Sequence, residues 1–178
     1  MGKQFAEIDD ATRAFIEQQK VFFVGTAGPE GRVNVSPKGL DTFRVLGPNR
    51  VAWLNLTGSG NETAAHLLEQ NRITIMFCAF EGKPNILRLY GTAAVHHPRD
   101  AEWNALLPLF PDLAGARQVF VVDVDLVTSS CGMAVPFMAY ESAREDLTQS
   151  WERKGPEAVE TYWAQRNTQS LDGKPTGI

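Results

Sequence analysis

The chain has 178 residues, 43% of them hydrophobic and 21% charged, the composition of a single globular domain and not of a disordered tail or a fibre. Its net charge of −4, from 17 basic and 21 acidic residues, argues against a general nucleic-acid or membrane-surface partner. A chain this long buries roughly 70% of its unfolded surface and needs neither disulfides nor a structural metal to fold. No apolar run approaches the roughly 18 residues of a membrane span. The N-terminal stretch Met1–Glu7 has no apolar core followed by a cleavage site, and Ala6 stands where a lipidation signal at Gly2 needs Ser or Thr. Two cysteines, Cys78 and Cys131, do not make a disulfide framework, so a reduced, cytoplasmic protein is the simplest expectation.

In chain order, the first expected element is a helix over about 9–20. Asp9 or Asp10 caps it, and Ala14, Phe15 and Ile16 form its apolar face. The period then changes to two. Residues 21–27 and 32–36 flank Gly28-Pro29-Glu30-Gly31 and read as a hairpin. Residues 42–46 and 51–56 flank Gly47-Pro48-Asn49-Arg50 and read as a second. A short helix follows over about 62–70, then strands over 72–80 and 86–95. A helical region near 99–116 is interrupted by Pro108 and Pro111. Residues 119–127 form the clearest strand, with Phe120, Val122, Val124 and Leu126 on one face and Asp123 and Asp125 on the other. From about 141 the chain reads as helical and charged, anchored by Leu147, Trp151, Val159, Tyr162 and Trp163. The last eight residues read as a loop. Seven strands, mostly in hairpins, favour one mainly β domain over 1–178, an antiparallel barrel with peripheral helices. A helical extension over about 141–166 and a tail complete it.

Three places carry residues suited to chemistry. Gly58-Ser59-Gly60-Asn61-Glu62-Thr63 follows a strand and opens a helix. Such a turn presents backbone N–H groups to an anion, and a phosphate fits. The alternative is a plain capped loop. The pattern mimics a dinucleotide fingerprint, but Thr63 replaces the third glycine and no βαβ units follow. In Asn34-Val35-Ser36-Pro37-Lys38-Gly39, proline puts the strand at an edge or an end. Lys38 then projects either as a point charge toward a phosphate or as an ordinary solvated lysine. Ser129-Ser130-Cys131-Gly132 offers a thiol without an Asp–His pair. The cysteines and three histidines do not have metal-site spacing.

These segments, in this order, resemble the FMN-binding split-barrel proteins related to pyridoxamine 5′-phosphate oxidase. The resemblance rests on GRVNVSPKG at 31–39, LTGSGNETAAHL at 56–67, NRITIMF at 71–77, LRLYG at 87–91, SSCGMAVPF at 129–137 and NTQSLDGKP at 167–175, and covers nearly the whole chain. It implies a six-stranded split barrel and a homodimer with FMN at the interface. It further implies that Val35, Ser36 and Lys38 lie along the ribityl chain and phosphate, with Leu54 and Asn55 bordering the isoalloxazine. Thr57, Ser59, Gly60, Asn61 and Thr63 would bind the phosphate, and Ser130, Cys131 and Gly132 match a late strand of the flavin pocket.

Three departures separate this chain from the oxidase itself. An Arg-Lys pair in the phosphate loop is replaced by Gly60-Asn61-Glu62-Thr63, Ile86 stands at a position the oxidase gives to Gln, and the C-terminal RLHDR-type element that grips pyridoxal phosphate has no counterpart. The resemblance therefore implies a relative of the oxidase: an FMN-dependent oxidoreductase acting on an unidentified small molecule or electron donor. A non-catalytic flavin-binding protein for storage or sensing, and a deazaflavin F420- or haem-binding relative, are the alternatives.

Overall fold

The computed structural model describes residues 2–178. Its elements in chain order are β1 (Lys3–Phe5), α1 (Asp10–Gln18), β2 (Phe22–Thr26), β3 (Asn34–Lys38), β4 (Phe43–Gly47), β5 (Arg50–Leu56), α2 (Glu62–Glu69), β6 (Arg72–Cys78), β7 (Ile86–His96), α3 (Trp103–Leu106), β8 (Ala116–Ser130), α4 (Asp146–Lys154) and α5 (Pro156–Tyr162). Asp9 caps α1 as expected, its carboxylate accepting from the Thr12 N–H at 2.7 Å.

All eight strands join one antiparallel sheet in the order β3-β2-β6-β7-β8-β5-β4, with β1 alongside β8. The sheet is not closed by hydrogen bonds, since β3 and β4 are its ends. It curls until side chains near the two ends meet. The rings of Phe22 on β2 and Phe43 on β4 lie 4.9 Å apart, and Phe43 reaches Phe77 on β6 at 5.2 Å. This is the split barrel, an opening bridged by aromatic packing.

The inner core collects Val24, Val51, Trp53, Ile75, Leu89, Phe120 and Val122. A second cluster forms on the outside of β5 and β8. There Ala52, Leu54, Val119 and Val121 pack under Trp103 and Phe110. These two strands are thus covered on both faces along this stretch, which period-two alternation alone does not predict.

Four expectations need correction. An eighth strand, β1, precedes the first helix, and it is too short to show a period. The region near 99–116 holds only α3 and a 3-10 turn over Leu107–Leu109; Pro108 and Pro111 keep it from propagating. On β8 the inner face does not run through Leu126. The β7–β8 register shifts, with Tyr90 opposite Leu126 and Gly91 opposite Val124. Asp125 is the extra residue, and Val127 takes the buried position. A Cβ on Gly91 would lie 2.0 Å from the Asp123 carbonyl oxygen, so this bulge needs glycine. Finally, Leu147 is exposed rather than an anchor. The last eight residues run as a loop, as expected, with Thr176 fully buried. Trp151 and Val159 are buried, so they do anchor α4 and α5 on the barrel.

Candidate functional site

The site grows from the end of β5. Asn55 sits opposite Gln118 of β8, and its side-chain amide donates to Gln118 Oε1 at 3.1 Å. Lys38 closes β3, and its Nζ donates to Asn55 Oδ1 at 3.1 Å. Burial, and then the charge of Arg117, push the Lys38 amine down to about 8.

Arg117 on β8 is 2% exposed. Its guanidinium donates to the carbonyls of Gly58 at 3.3 Å and Gly60 at 2.9 Å, and to Asn167 Oδ1 at 2.7 Å. Burial lowers it to about 10, which leaves it charged at neutral pH. Neutral oxygens solvate this cation, and among the described residues neither it nor Lys38 forms an ion pair. Two positive charges without an ion-pair partner therefore stand near the end of β5, where the loop begins, an arrangement that favours an anion.

The loop between β5 and α2 turns its carbonyls inward to Arg117 and Asn167. Its other side is open. A Cβ on Gly58 would meet nothing within 4 Å, and one on Gly60 only the Glu62 carboxylate at 3.9 Å. The first N–H groups of α2 have no intrahelical acceptor and add to the positive end of this loop.

A cleft of about 970 Å³ runs from this loop along the barrel. Lys38, Asn55 and Gly58 are among its lining residues, and Phe23, Leu54, Leu56, Met138 and Tyr140 supply apolar wall. A few convergent polar groups on a mostly apolar cleft is the usual form of a cofactor pocket. The lining contains no His or Cys side chain.

The structure brings many of the expected site residues together and separates others. Lys38, Leu54 and Asn55 line the cleft, and Ser59 and Gly60 are exposed at its end. Val35 is exposed on β3, and the Ser36 hydroxyl donates to Asn34 Oδ1 at 2.9 Å. Thr57, Asn61 and Thr63 are buried and already engaged. The Thr57 hydroxyl donates to the Gly115 carbonyl and accepts from Trp163 Nε1, each at 2.7 Å. Asn61 donates to the Asn167 carbonyl at 3.3 Å, and the Thr63 hydroxyl accepts from Asn34 at 3.3 Å. Ser130 ends β8, the strand whose start carries Arg117 and Gln118, so Ser130, Cys131 and Gly132 lie at the opposite end of that strand. There Gly132 packs on Asn85.

Sequence reasoning missed Arg117 and Asn167. A signal existed for the first. Arg117-Gln118 are two polar residues directly before the apolar run Val119–Val122, and both are buried. Asn167 opens the NTQSLDGKP segment, yet nothing local marks its side chain for the site; it is fully buried in a π-helical turn over Trp163–Asn167.

The histidines serve elsewhere. His66 Nδ1 lies 3.0 Å from the Thr26 hydroxyl, His96 approaches Glu102 at 3.8 Å, and His97 is buried, which lowers its pKa. Both cysteines are free thiols; burial raises that of Cys78. Among the described residues no cluster of His, Cys, Asp and Glu could hold a metal ion. None of their helices is long and apolar enough to cross a membrane.

The split barrel defines the class, and comparison with known proteins defines the family. The family model for pyridoxamine 5′-phosphate oxidase matches residues 8–131. The pyridoxamine 5′-phosphate oxidase family protein ustO of Aspergillus flavus is 36% identical across 96% of this chain and 76% of its own length. The chain therefore belongs to the pyridoxamine 5′-phosphate oxidase family. Solved structures share the fold at lower identity. A HupZ variant from Group A Streptococcus superposes with a TM-score of 0.58 at 18% identity, over 69% of this chain and 99% of that one. A Lactobacillus delbrueckii protein proposed as a pyridoxamine 5′-phosphate oxidase gives 0.52 at 19%, over 69% and 94%. HutZ, the haem storage protein of Vibrio cholerae, gives 0.51 at 16%, over 71% and 97%.

Proposed function

We propose that this chain binds FMN and uses it in an oxidoreductase reaction on a small molecule. The observation that carries the reading is that two cations without an ion-pair partner, Lys38 and Arg117, stand by one open loop beside a largely apolar cleft. A phosphate fits the first part and a flat aromatic ring system the second. Lys38 Nζ would hold the phosphate directly, and Arg117 would act on it through the loop from behind. The exposed Ser59 and the backbone of Gly60 would complete the cradle. Val35 and Ser36 would run beside the ribityl chain, with Leu54 and Asn55 beside the ring.

Bound FMN supplies hydride and single-electron transfer at its ring system. The protein's own share is placement, charge and exclusion of water. Leu54, Leu56 and Phe23 keep the ring's surroundings apolar. Asn55, fixed between Lys38 and Gln118, offers an oriented amide. Thr57, Asn61 and Thr63 support the loop from within.

A homodimer with FMN at its interface accords with this reading. Ser130, Cys131 and Gly132 stand at the end of β8 opposite Arg117, and in the proposed dimer they would contribute to a flavin pocket across the interface. A cytoplasmic setting accords with the two free thiols.

The test is an absorption spectrum of the purified protein before and after adding FMN. About one flavin per chain supports the reading. A Soret band instead, or no flavin at saturating FMN, sinks it. Reduction of the bound flavin by NADH or NADPH, with turnover to an acceptor, then separates an enzyme from a storage or sensing protein.

A further inference from the structure

Asn167 makes five polar connections from a position 0% exposed. Its Oδ1 accepts from Arg117 Nη1 at 2.7 Å, and its Nδ2 donates to the Gly58 carbonyl at 3.0 Å and the Ser59 carbonyl at 3.4 Å. Its own carbonyl accepts from Asn61 Nδ2 at 3.3 Å and from the Thr176 hydroxyl. One residue from the C-terminal segment thus holds the loop at Gly58, Ser59 and Asn61, together with the cation beneath it. The π-helical turn that carries it is a form often found at functional sites, because an inserted residue re-aims a side chain.

The chemistry of the side chain is specific. An amide donates and accepts at once. A carboxylate would accept from Arg117 but would cancel its charge and could not donate to the carbonyls. A cation could donate to the carbonyls but not accept from Arg117. Only a neutral partner of both kinds satisfies the guanidinium, leaves its charge uncompensated and keeps the carbonyls turned inward.

The tail secures this arrangement from outside. The Leu171 N–H donates to the Glu62 carboxylate at 3.0 Å, Lys174 pairs with Glu69 at 2.7 Å, and Asp172 pairs with Arg32. Glu62 and Glu69 are the first and last residues of α2, so the tail spans the helix that follows the loop.

We infer that Asn167 is a positioning residue for the anion: through Arg117 and the carbonyls of Gly58 and Ser59, it sets both the charge and the shape of the loop. The inference rests on the reading that this loop takes the phosphate of FMN. Its signature is a change in discrimination between FMN and riboflavin, which lacks the phosphate.

The experiment titrates FMN and riboflavin, by flavin fluorescence, into the full-length protein and into Asn167→Asp. Folding is checked by circular dichroism. The expected result is a loss of about tenfold or more in FMN affinity, the scale of a charge-assisted hydrogen bond, with riboflavin affinity held within about twofold. Unchanged FMN affinity overturns the inference while leaving the flavin reading intact. An equal loss of both flavins from a folded variant marks a merely structural role and overturns it too. If the unsubstituted protein does not prefer FMN to riboflavin, the phosphate reading itself fails and the inference falls with it. Should Asn167→Asp not fold, Asn167→Ala is read in the same way.

Discussion

Lys38 and Asn55 lie 3.1 Å apart through Nζ and Oδ1, although β3 and β5 are separated by four strands in the sheet order. The curl of the open sheet brings them together, and with them the two halves of the candidate anion site. Lys38 ends the edge strand, where Pro37 removes a backbone donor. Asn55 lies one residue before the end of β5.

Removing the amine tests the contact. Lys38→Ala is expected to weaken FMN by about 1–3 kcal/mol, the range for a lost charge-assisted hydrogen bond. Fluorescence titration measures it. Unchanged affinity takes Lys38 out of the phosphate site.

The pH dependence has a defined sign. Lys38 titrates near 8 in the folded protein against an ordinary 10.5, and an anion favours the charged form. FMN affinity is therefore expected to fall as pH rises above about 8, by at most about tenfold per pH unit for one proton. Riboflavin affinity stays flat. The phosphate is already doubly ionised there, its second pKa lying near 6. Stability moves the other way for this group. Between about 8 and 10.5 the unfolded chain holds the extra proton, so the folded state gains with rising pH. Unfolding by Lys38 thus does not mimic the loss of affinity. Parallel curves for FMN and riboflavin would falsify the assignment.

Thr57 separates support from binding. Its hydroxyl has both a donor and an acceptor partner inside the protein. Thr57→Val leaves Trp163 Nε1 without an acceptor and is expected to cost about 1–3 kcal/mol of stability, the penalty for an unmade buried hydrogen bond. Urea unfolding checks this; a midpoint equal to that of the unsubstituted protein contradicts it.

Gly91 tests the bulge. An added Cβ would strike the Asp123 backbone at 2.0 Å, which no side-chain rotation relieves. Gly91→Ala is expected to lower stability by about 3 kcal/mol or more, the upper end of overpacking effects. Thermal unfolding is the measurement, and a shift within error means that the strands separate there without cost.

Much of the fold is legible in the residues. Alternation and turn chemistry mark seven of the eight strands, because hairpin strands with one wet face carry a period-two signal. The second cluster on β5 and β8 is not legible, since a strand covered on both faces carries no alternation. Lys38 and the loop at 58–63 stand out from local pattern, proline and glycine marking where strand and loop change, whereas Asn55 and Thr57 enter only through the family resemblance. Arg117 is half-legible, in a polar pair just before an apolar run. The role of Asn167 is not, for it lies 106 positions from Asn61, in a segment whose motif at 167–175 says nothing of which loop it meets.

The sequence by itself determined the class of architecture, a mainly antiparallel barrel with helices outside, and located the loop suited to an anion. Local hydrophobic period, proline and glycine encode these within a few residues of each position. Only the tertiary structure decided which charges face that loop, which of its side chains are already engaged, and that the C-terminal segment grips it from behind. Those facts depend on strand order and curl, which join residues far apart in the chain, and no local pattern carries such long-range contacts.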